Sequence, residues 1–260
     1  ITSNFVSSVG PFINQFENTI CNEIGLSNNN AVATSSGTTA LQLGLLSLGV
    51  RPNDLVIVPS YTFIATANAV SHVGAEPWIL NVESNQLTID PIKLNEELEK
   101  NSIKKNGYCF HKSTNQKIAC IIPVYVFGCP PDIDKLNEIA NNFSIPILLD
   151  SACGIGSKYK DLKLGETKLP GIISFNGNKT ITTGAGGIFY SFDKNKVDKV
   201  RHLSTTAKIS SKYEHDEIAF NYRMSNIQAA LGLAQLENLN KIINQKKIIH
   251  SNYLKYLTNF

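Results

Sequence analysis

The sequence predicts an α/β protein with a mostly parallel sheet and helices on both faces. Three observations predict it. Segments of strand type alternate with segments of helical period along the chain. Several strand segments, such as "LVIVP" and "IPILL", are apolar throughout, as strands buried on both faces are. Small polar or acidic residues cluster at the carboxyl ends of these segments, where open α/β sheets bind ligands.

Taken in order, "AVATSS" is a strand running into a turn, and "GTTALQLGLLSLGV" is the helix after it. Ser35 or Ser36 is the N-cap. Leu41, Leu45 and Leu48 share one helical face. Gly49 stops the helix, with Pro52 beyond it. "LVIVPS" is a short buried strand ended by Pro59, "TFIATANAVSHVG" a second helix stopped at Gly74, and "EPWILNV" a strand. In "IDPIKLNEELEKN" Asp90 caps a helix and Pro91 takes its first position. "KNSIKKNGY" reads as a solvated loop. "KIACIIPVYVFG" is a further buried strand, and "PDIDKLNEIANNF" an amphipathic helix entered through Asp132 and Asp134. "IPILLDSA" is a buried strand ending on Asp150, and "GIISFN" and "GGIFYSF" are two more strands. From Ser225 a long helical segment runs to the end of the sequence, with a broken apolar stripe through Ile227, Leu231, Leu236, Leu239, Ile243 and Leu254.

The bulk properties narrow the function. The 260 residues are 42% hydrophobic and 17% charged, which suits a globular protein with a substantial core. The net charge is only +3, with no dense Lys/Arg block, so nucleic acid is not an expected partner. No apolar run is long enough to span a membrane, and "ITSNFVSSVG" lacks the charged and apolar regions of a signal peptide. The five cysteines are odd in number and none is in C-x-x-C spacing, which argues against a disulfide framework or a zinc site and for a reducing cytoplasm. The five histidines lack metal-ligand spacing and read as surface or locally satisfied residues.

"SFNGNKTITTGAGG" holds one lysine, Lys179, among glycines, asparagines and threonines. A nucleotide phosphate loop needs Gly-Lys-Ser/Thr, but Asn178 separates Gly177 from Lys179, so that match fails. Lys179 is then either an ordinary solvated lysine or a lysine held in a cleft as a nucleophile toward aldehydes. The neighbouring strand ends bear on the choice. "SSGTTAL", with Gly37 and Thr38, opens a helix whose free amides suit a phosphate, or is merely a cap. Asp150 follows four apolar residues, where an unpaired carboxylate is costly, so it meets a ligand cation or a structural one. Phe63 is core or a ring that stacks on a planar ligand. Ser174 is a strand-end cap or a phosphate ligand. A phosphate seat, an acid for a protonated ring nitrogen, a stacking ring and a lone lysine together describe a pocket for pyridoxal 5′-phosphate.

The segments "AVATSSGTTALQLGLLSLGVRPNDLVIVPSYTFIATANAVSHVGAEP", "IIPVYVFGCPPDIDKLNEIA", "IPILLDSACGIGSKYKDLKLG", "ISFNGNKTITTGAGG" and "FNYRMSNIQAALGLAQLE" resemble the sugar aminotransferases of the DegT/DnrJ/EryC1/StrS family, from about Phe5 to Leu239. The resemblance implies a pyridoxal phosphate enzyme of fold type I, the aspartate aminotransferase-like large domain. It implies that Lys179 carries the cofactor as a Schiff base, that Asp150 faces its pyridine nitrogen, and that Gly37, Thr38 and Ser174 hold its phosphate. It puts Phe63 over the ring. It makes Asn221, in "FNYR", a phosphate contact given to the neighbouring subunit, and hence implies a homodimer with shared sites. Two departures stand out. The chain has "LDSAC" where the family usually reads "EDAAQ", so Cys153 replaces a residue that approaches the cofactor hydroxyl. Relatives that perform dehydration carry histidine in place of the lysine, which Lys179 argues against.

The same resemblance gives the domain expectation. Residues 1–224 form the large cofactor-binding domain, with its N-terminal segment incomplete, and 225–260 form a long helix leading toward a small C-terminal domain largely absent from the sequence. Its finest detail is similarity to enzymes acting on UDP-linked 4-keto-6-deoxy-N-acetylhexosamines, with glutamate as amino donor. The alternatives are another pyridoxal phosphate sugar enzyme, such as a dehydratase, and an inactive binding protein that keeps the fold.

Overall fold

The structure, a computed structural model, describes residues 4–210 and 212–257. In chain order the elements are α1 (Pro11–Ile24), β1 (Ala31–Thr34), α2 (Gly37–Ser47), β2 (Leu55–Pro59), α3 (Ala65–His72), β3 (Glu76–Leu80), α4 (Pro91–Asn101), β4 (Ser102–Lys105), β5 (Tyr108–His111), β6 (Ile118–Ile121), α5 (Ile133–Phe143), β7 (Leu149–Asp150), β8 (Lys158–Tyr159), β9 (Leu162–Lys163), β10 (Gly171–Ser174), β11 (Gly187–Tyr190), α6 (Lys194–Ser204), α7 (Asn226–Leu236) and α8 (Leu239–Leu257).

Two ladders, β1-β11-β10-β7 and β3-β2-β6, make the central sheet. They meet through parallel bridges Ile121–Ile147 and Val124–Asp150, which gives the spatial order β1-β11-β10-β7-β6-β2-β3. β11 runs antiparallel to both its neighbours, and the other paired strands of this sheet are parallel. The expected mostly parallel α/β sheet is thus what the chain forms.

Strand side chains alternate between faces, and here both faces are apolar. Ala31 and Ala33, Leu55 and Ile57, Leu149, Ile173, Ile188 and Tyr190 pack into one core with α1, α4 and α5. Val32, Val56, Val58, Leu148, Ile172 and Phe189 pack into a second core with α2, α3 and α6. Two cores are the physical reason that the strands read as unbroken apolar runs.

Local signals set most boundaries. Ser36 is the cap of α2, in a capping box with Thr39, and Leu41 and Leu45 are buried with Leu48 partly so. Asp90 caps α4 with Pro91 behind it, and Asp132 caps α5. Several expectations are corrected. "KNSIKKNGY" is no loop: β4 and β5 pair there as an antiparallel hairpin. The long strand expected in "KIACIIPVYVFG" stops at Ile121, because Pro123 has no amide to donate. The C-terminal segment is two helices, broken at Glu237 and Asn238. α1 and α6 are helices beyond those the sequence pattern predicts. α1 begins with Pro at its first turn and ends on Gly25 at φ 79°, and it buries Ile13, Phe16, Ile20 and Ile24.

Candidate active site

Six of the seven residues singled out in the sequence line one cavity of about 320 Å³: Gly37, Thr38, Phe63, Asp150, Ser174 and Lys179. It sits at the carboxyl ends of β7 and β10, against the N-terminus of α2. A second chamber of about 480 Å³ shares Phe63, Asp150 and Lys179 with it, so the two form one cleft. Asn221 lies outside both. It is exposed, and its backbone bridges Thr205.

The helix end is built for close approach. Ser36 Oγ accepts from the Thr39 amide at 3.1 Å, while Gly37 and Thr38 occupy the first turn, whose amides have no partner within a helix. A Cβ added at Gly37 would stand 2.9 Å from Ser174 Cβ and 3.2 Å from its Oγ. Glycine therefore lets the Ser174 hydroxyl and the helix amides converge on one point. Gly187, opposite Thr34 in the β1-β11 ladder, serves the same approach. A Cβ there would lie 2.4 Å from Ser36 C and O and 2.5 Å from Gly37 N.

Asp150 is 5% exposed. Its Oδ2 accepts from Thr66 Oγ1 at 2.7 Å and its Oδ1 from the Ala152 amide at 3.2 Å. Burial pushes its carboxyl above the ordinary carboxylate range. The Thr66 and Ala152 hydrogen bonds and the Lys179 charge pull the other way without cancelling it. A buried carboxyl with this balance has capacity left for a cationic N–H donor. Nothing local in the sequence marks Thr66 as a partner of Asp150; its place is at the start of α3, three residues after Phe63.

Phe63 is 79% exposed, so its ring is no core residue. Lys179 is half-buried, on the loop between β10 and β11. The loop is held by Phe175 N to Gly186 O and Thr183 N to Phe175 O, both at 2.9 Å, and by Gln228 Nε2 on Ala185 O at 2.7 Å. Lys179 Nζ donates to Cys153 Sγ at 3.1 Å. Behind the site, Glu17 is 2% exposed and binds Arg201 Nη1 at 2.9 Å, Arg223 Nη1 at 2.6 Å and the Ala33 amide at 2.8 Å. This network braces β1, and nothing in the spacing of Glu17, Arg201 and Arg223 announced it.

The histidines stay outside. His202, Asp216 and Glu217 cluster at the surface, where His202 Nε2 pairs with Asp216 at 2.6 Å and Lys199 with Glu217. Among the described residues no helix is long and apolar enough to cross a membrane.

The crystal structure of a DegT DnrJ EryC1 StrS aminotransferase from Brucella abortus superposes with a TM-score of 0.88 at 28% identity, over 99% of this chain and 66% of that one. The chain belongs to the DegT/DnrJ/EryC1/StrS aminotransferase family, whose model matches residues 1–260. It is 36% identical over 258 residues to GDP-perosamine synthase of Escherichia coli O157:H7, covering 98% of this chain and 65% of that protein. It is 30% identical over 257 residues to the spore coat polysaccharide biosynthesis protein SpsC of Bacillus subtilis (strain 168), covering 95% and 61%. The chain therefore spans somewhat under two thirds of these relatives. The crystal structure of ntda from Bacillus subtilis with bound cofactor PMP superposes with a TM-score of 0.84 at 27% identity, over 99% of this chain and 55% of that one.

The cavity fits that cofactor. The Gly37–Ser174 approach leaves amides and a hydroxyl open to a phosphate, the buried Asp150 carboxyl can take a ring N–H, and a primary amine stands in the same cavity.

Proposed function

We propose that the chain carries the cofactor site of an aminotransferase that moves an amino group from an amino acid, L-glutamate, to C4 of a nucleotide-linked 4-keto-6-deoxy sugar. One observation carries this reading: Lys179, Asp150 and the α2 N-terminus share one cavity.

When bound, pyridoxal phosphate supplies an electron sink for a carbanion at the substrate carbon. The amides of Gly37 and Thr38 and Ser174 Oγ would hold its phosphate. Asp150 would accept its ring N–H and keep that nitrogen protonated. Phe63 would cover one face of its ring. Lys179 would anchor it through Nζ and then carry the proton between the substrate's amino-bearing carbon and the cofactor. Asn221, exposed and outside the cavity, would reach the phosphate of a partner subunit, which makes the working unit a homodimer. Residues 1–224 would serve as the cofactor-binding domain, with 225–260 leading toward a smaller one. The free cysteines are consistent with work in the cytoplasm, and the family with synthesis of a surface polysaccharide.

For the sugar, we favour a UDP-linked 4-keto-6-deoxy-N-acetylhexosamine, on the likeness of "FNGNKTITTGAGG" and the "YEHDEIAFNYRMSN" region to such enzymes. A GDP-linked 4-keto-6-deoxy sugar is the second reading, favoured by the 36% identity to GDP-perosamine synthase. The test is 2-oxoglutarate release from glutamate with each sugar nucleotide in turn, in ping-pong kinetics. Release with the UDP-linked sugar alone supports the first reading, and with the GDP-linked sugar alone the second. Release with neither, while the cofactor is bound, removes the aminotransferase reading.

A further inference from the structure

The proposed reaction uses Lys179 but gives Cys153 no task, although Lys179 Nζ and Cys153 Sγ are 3.1 Å apart. Both side chains line the outer chamber of about 480 Å³, and both are half-buried, within reach of small solutes. The other thiols are placed differently. Cys21, Cys109 and Cys120 are buried, and Cys129 Sγ is directed at the Pro130 carbonyl, 3.9 Å away. Among the described residues, Cys153 is the one cysteine with a lysine nitrogen at this distance.

We infer that Cys153 and Lys179 form a redox couple: hydrogen peroxide joins Sγ to Nζ in a reversible sulfenamide, which takes the lysine out of service. In the first step the Cys153 thiolate attacks peroxide. The O–O bond breaks, an S–O bond forms, and the departing hydroxide takes up the proton that the Cys153 thiol gave up, leaving as one water. Sulfur is oxidised by two electrons and peroxide is reduced by two. In the second step the neutral amine of Lys179 attacks that sulfur. An S–N bond forms, the S–O bond breaks, and the hydroxyl leaves as water with a proton from the amine. One thiol, one amine and one peroxide thus give one sulfenamide and two waters. A small thiol in excess reverses the change. It cleaves S–N, restores the thiol and the amine, and is itself oxidised to a disulfide.

The geometry favours this partner over others. A sulfenic acid formed at Cys153 meets the Lys179 amine before any other nucleophile shown at contact distance. The four-carbon lysine stem supplies the small movement needed to close the bond. The effect on activity rests on Lys179 being the cofactor lysine, whereas the bond itself does not.

The test treats the full chain with hydrogen peroxide, with and without prior addition of pyridoxal phosphate, followed by intact-mass measurement and peptide mapping. The expected product is lighter by about 2 Da, joins the peptides of Cys153 and Lys179, and reverts with dithiothreitol. It is absent in Cys153→Ser and in Lys179→Arg, and pyridoxal phosphate suppresses it. A gain of about 32 Da on Cys153 without a cross-link, as in a sulfinic acid, overturns the couple. So does a product that maps as a Cys129–Cys153 disulfide. If the cross-link forms equally with the cofactor present, the couple stands and the cofactor role of Lys179 falls.

Discussion

Gly187→Ala probes the link between strand packing and the phosphate seat. The new Cβ would lie 2.4–2.5 Å from Ser36 C, Ser36 O and Gly37 N, all backbone atoms. Carbon contacts settle near 3.5–4.0 Å, so the start of α2 must retreat by about 1 Å. It cannot swing away freely, because Thr34 and Gly187 are partners in the β1-β11 ladder. Overpacking of this kind costs up to about 3 kcal/mol, and replacing a strand glycine by alanine returns about 1 kcal/mol. The net loss is about 2 kcal/mol, a fall in Tm of about 4–8 °C for a chain of this size. The displaced amides of Gly37 and Thr38 would then miss the phosphate they are proposed to hold. Losing one charge-assisted hydrogen bond of about 1.5–3 kcal/mol weakens cofactor affinity about 10- to 150-fold. The assay is a cofactor titration by absorbance beside a thermal melt. Gly177→Ala is the control, since its nearest atom would be 4.0 Å away. Wild-type Tm and wild-type affinity in Gly187→Ala would refute the close-approach reasoning.

Three further outcomes follow from the same structure. Ser174→Ala should keep the fold and weaken cofactor retention about 10- to 150-fold without abolishing it, read by dialysis and residual absorbance. Burial raises the Asp150 carboxyl above its ordinary 3.8, so the folded chain holds that proton more tightly than the unfolded chain. The stability this confers is full below 3.8 and is lost as pH rises through the folded value. Asp150→Asn should therefore flatten the pH dependence of the cofactor-free melt across that window while impairing cofactor function. Glu17→Ala removes the only carboxylate shown on Arg223, whose side chain is 9% exposed, leaving it the Ala33 carbonyl at 3.3 Å, and should destabilise the fold by about 3 kcal/mol in urea unfolding.

Elements whose cause is local were legible in the sequence. The caps Ser36, Asp90 and Asp132, and the apolar runs of β2 and β10, follow from neighbours a few residues away. α1 carried the same kind of signal, a proline at its start and Gly25 at its end, and could have been read. The β4-β5 hairpin was hidden because its lysines Lys104 and Lys105 look solvated, and both are exposed, although they pair with Cys109 and Tyr108 in the ladder. Much of the candidate site's cavity was legible because its residues fall at strand ends, where topology gathers them without their being close in sequence. Thr66 on Asp150 and the Glu17–Arg201–Arg223 network were not, since their bonds join residues 84 to 206 positions apart. Their partners are chosen by the three-dimensional packing alone.

The most direct measurement is borohydride reduction of the chain with pyridoxal phosphate, followed by peptide mass mapping. Reduction fixes the cofactor to whichever amine holds it. The label should fall on Lys179 alone, and the yellow absorbance before reduction should be absent in Lys179→Ala and should shift on adding glutamate. A label on another lysine, or an unchanged yellow spectrum in Lys179→Ala, would contradict the assignment of Lys179 as the residue that carries the cofactor.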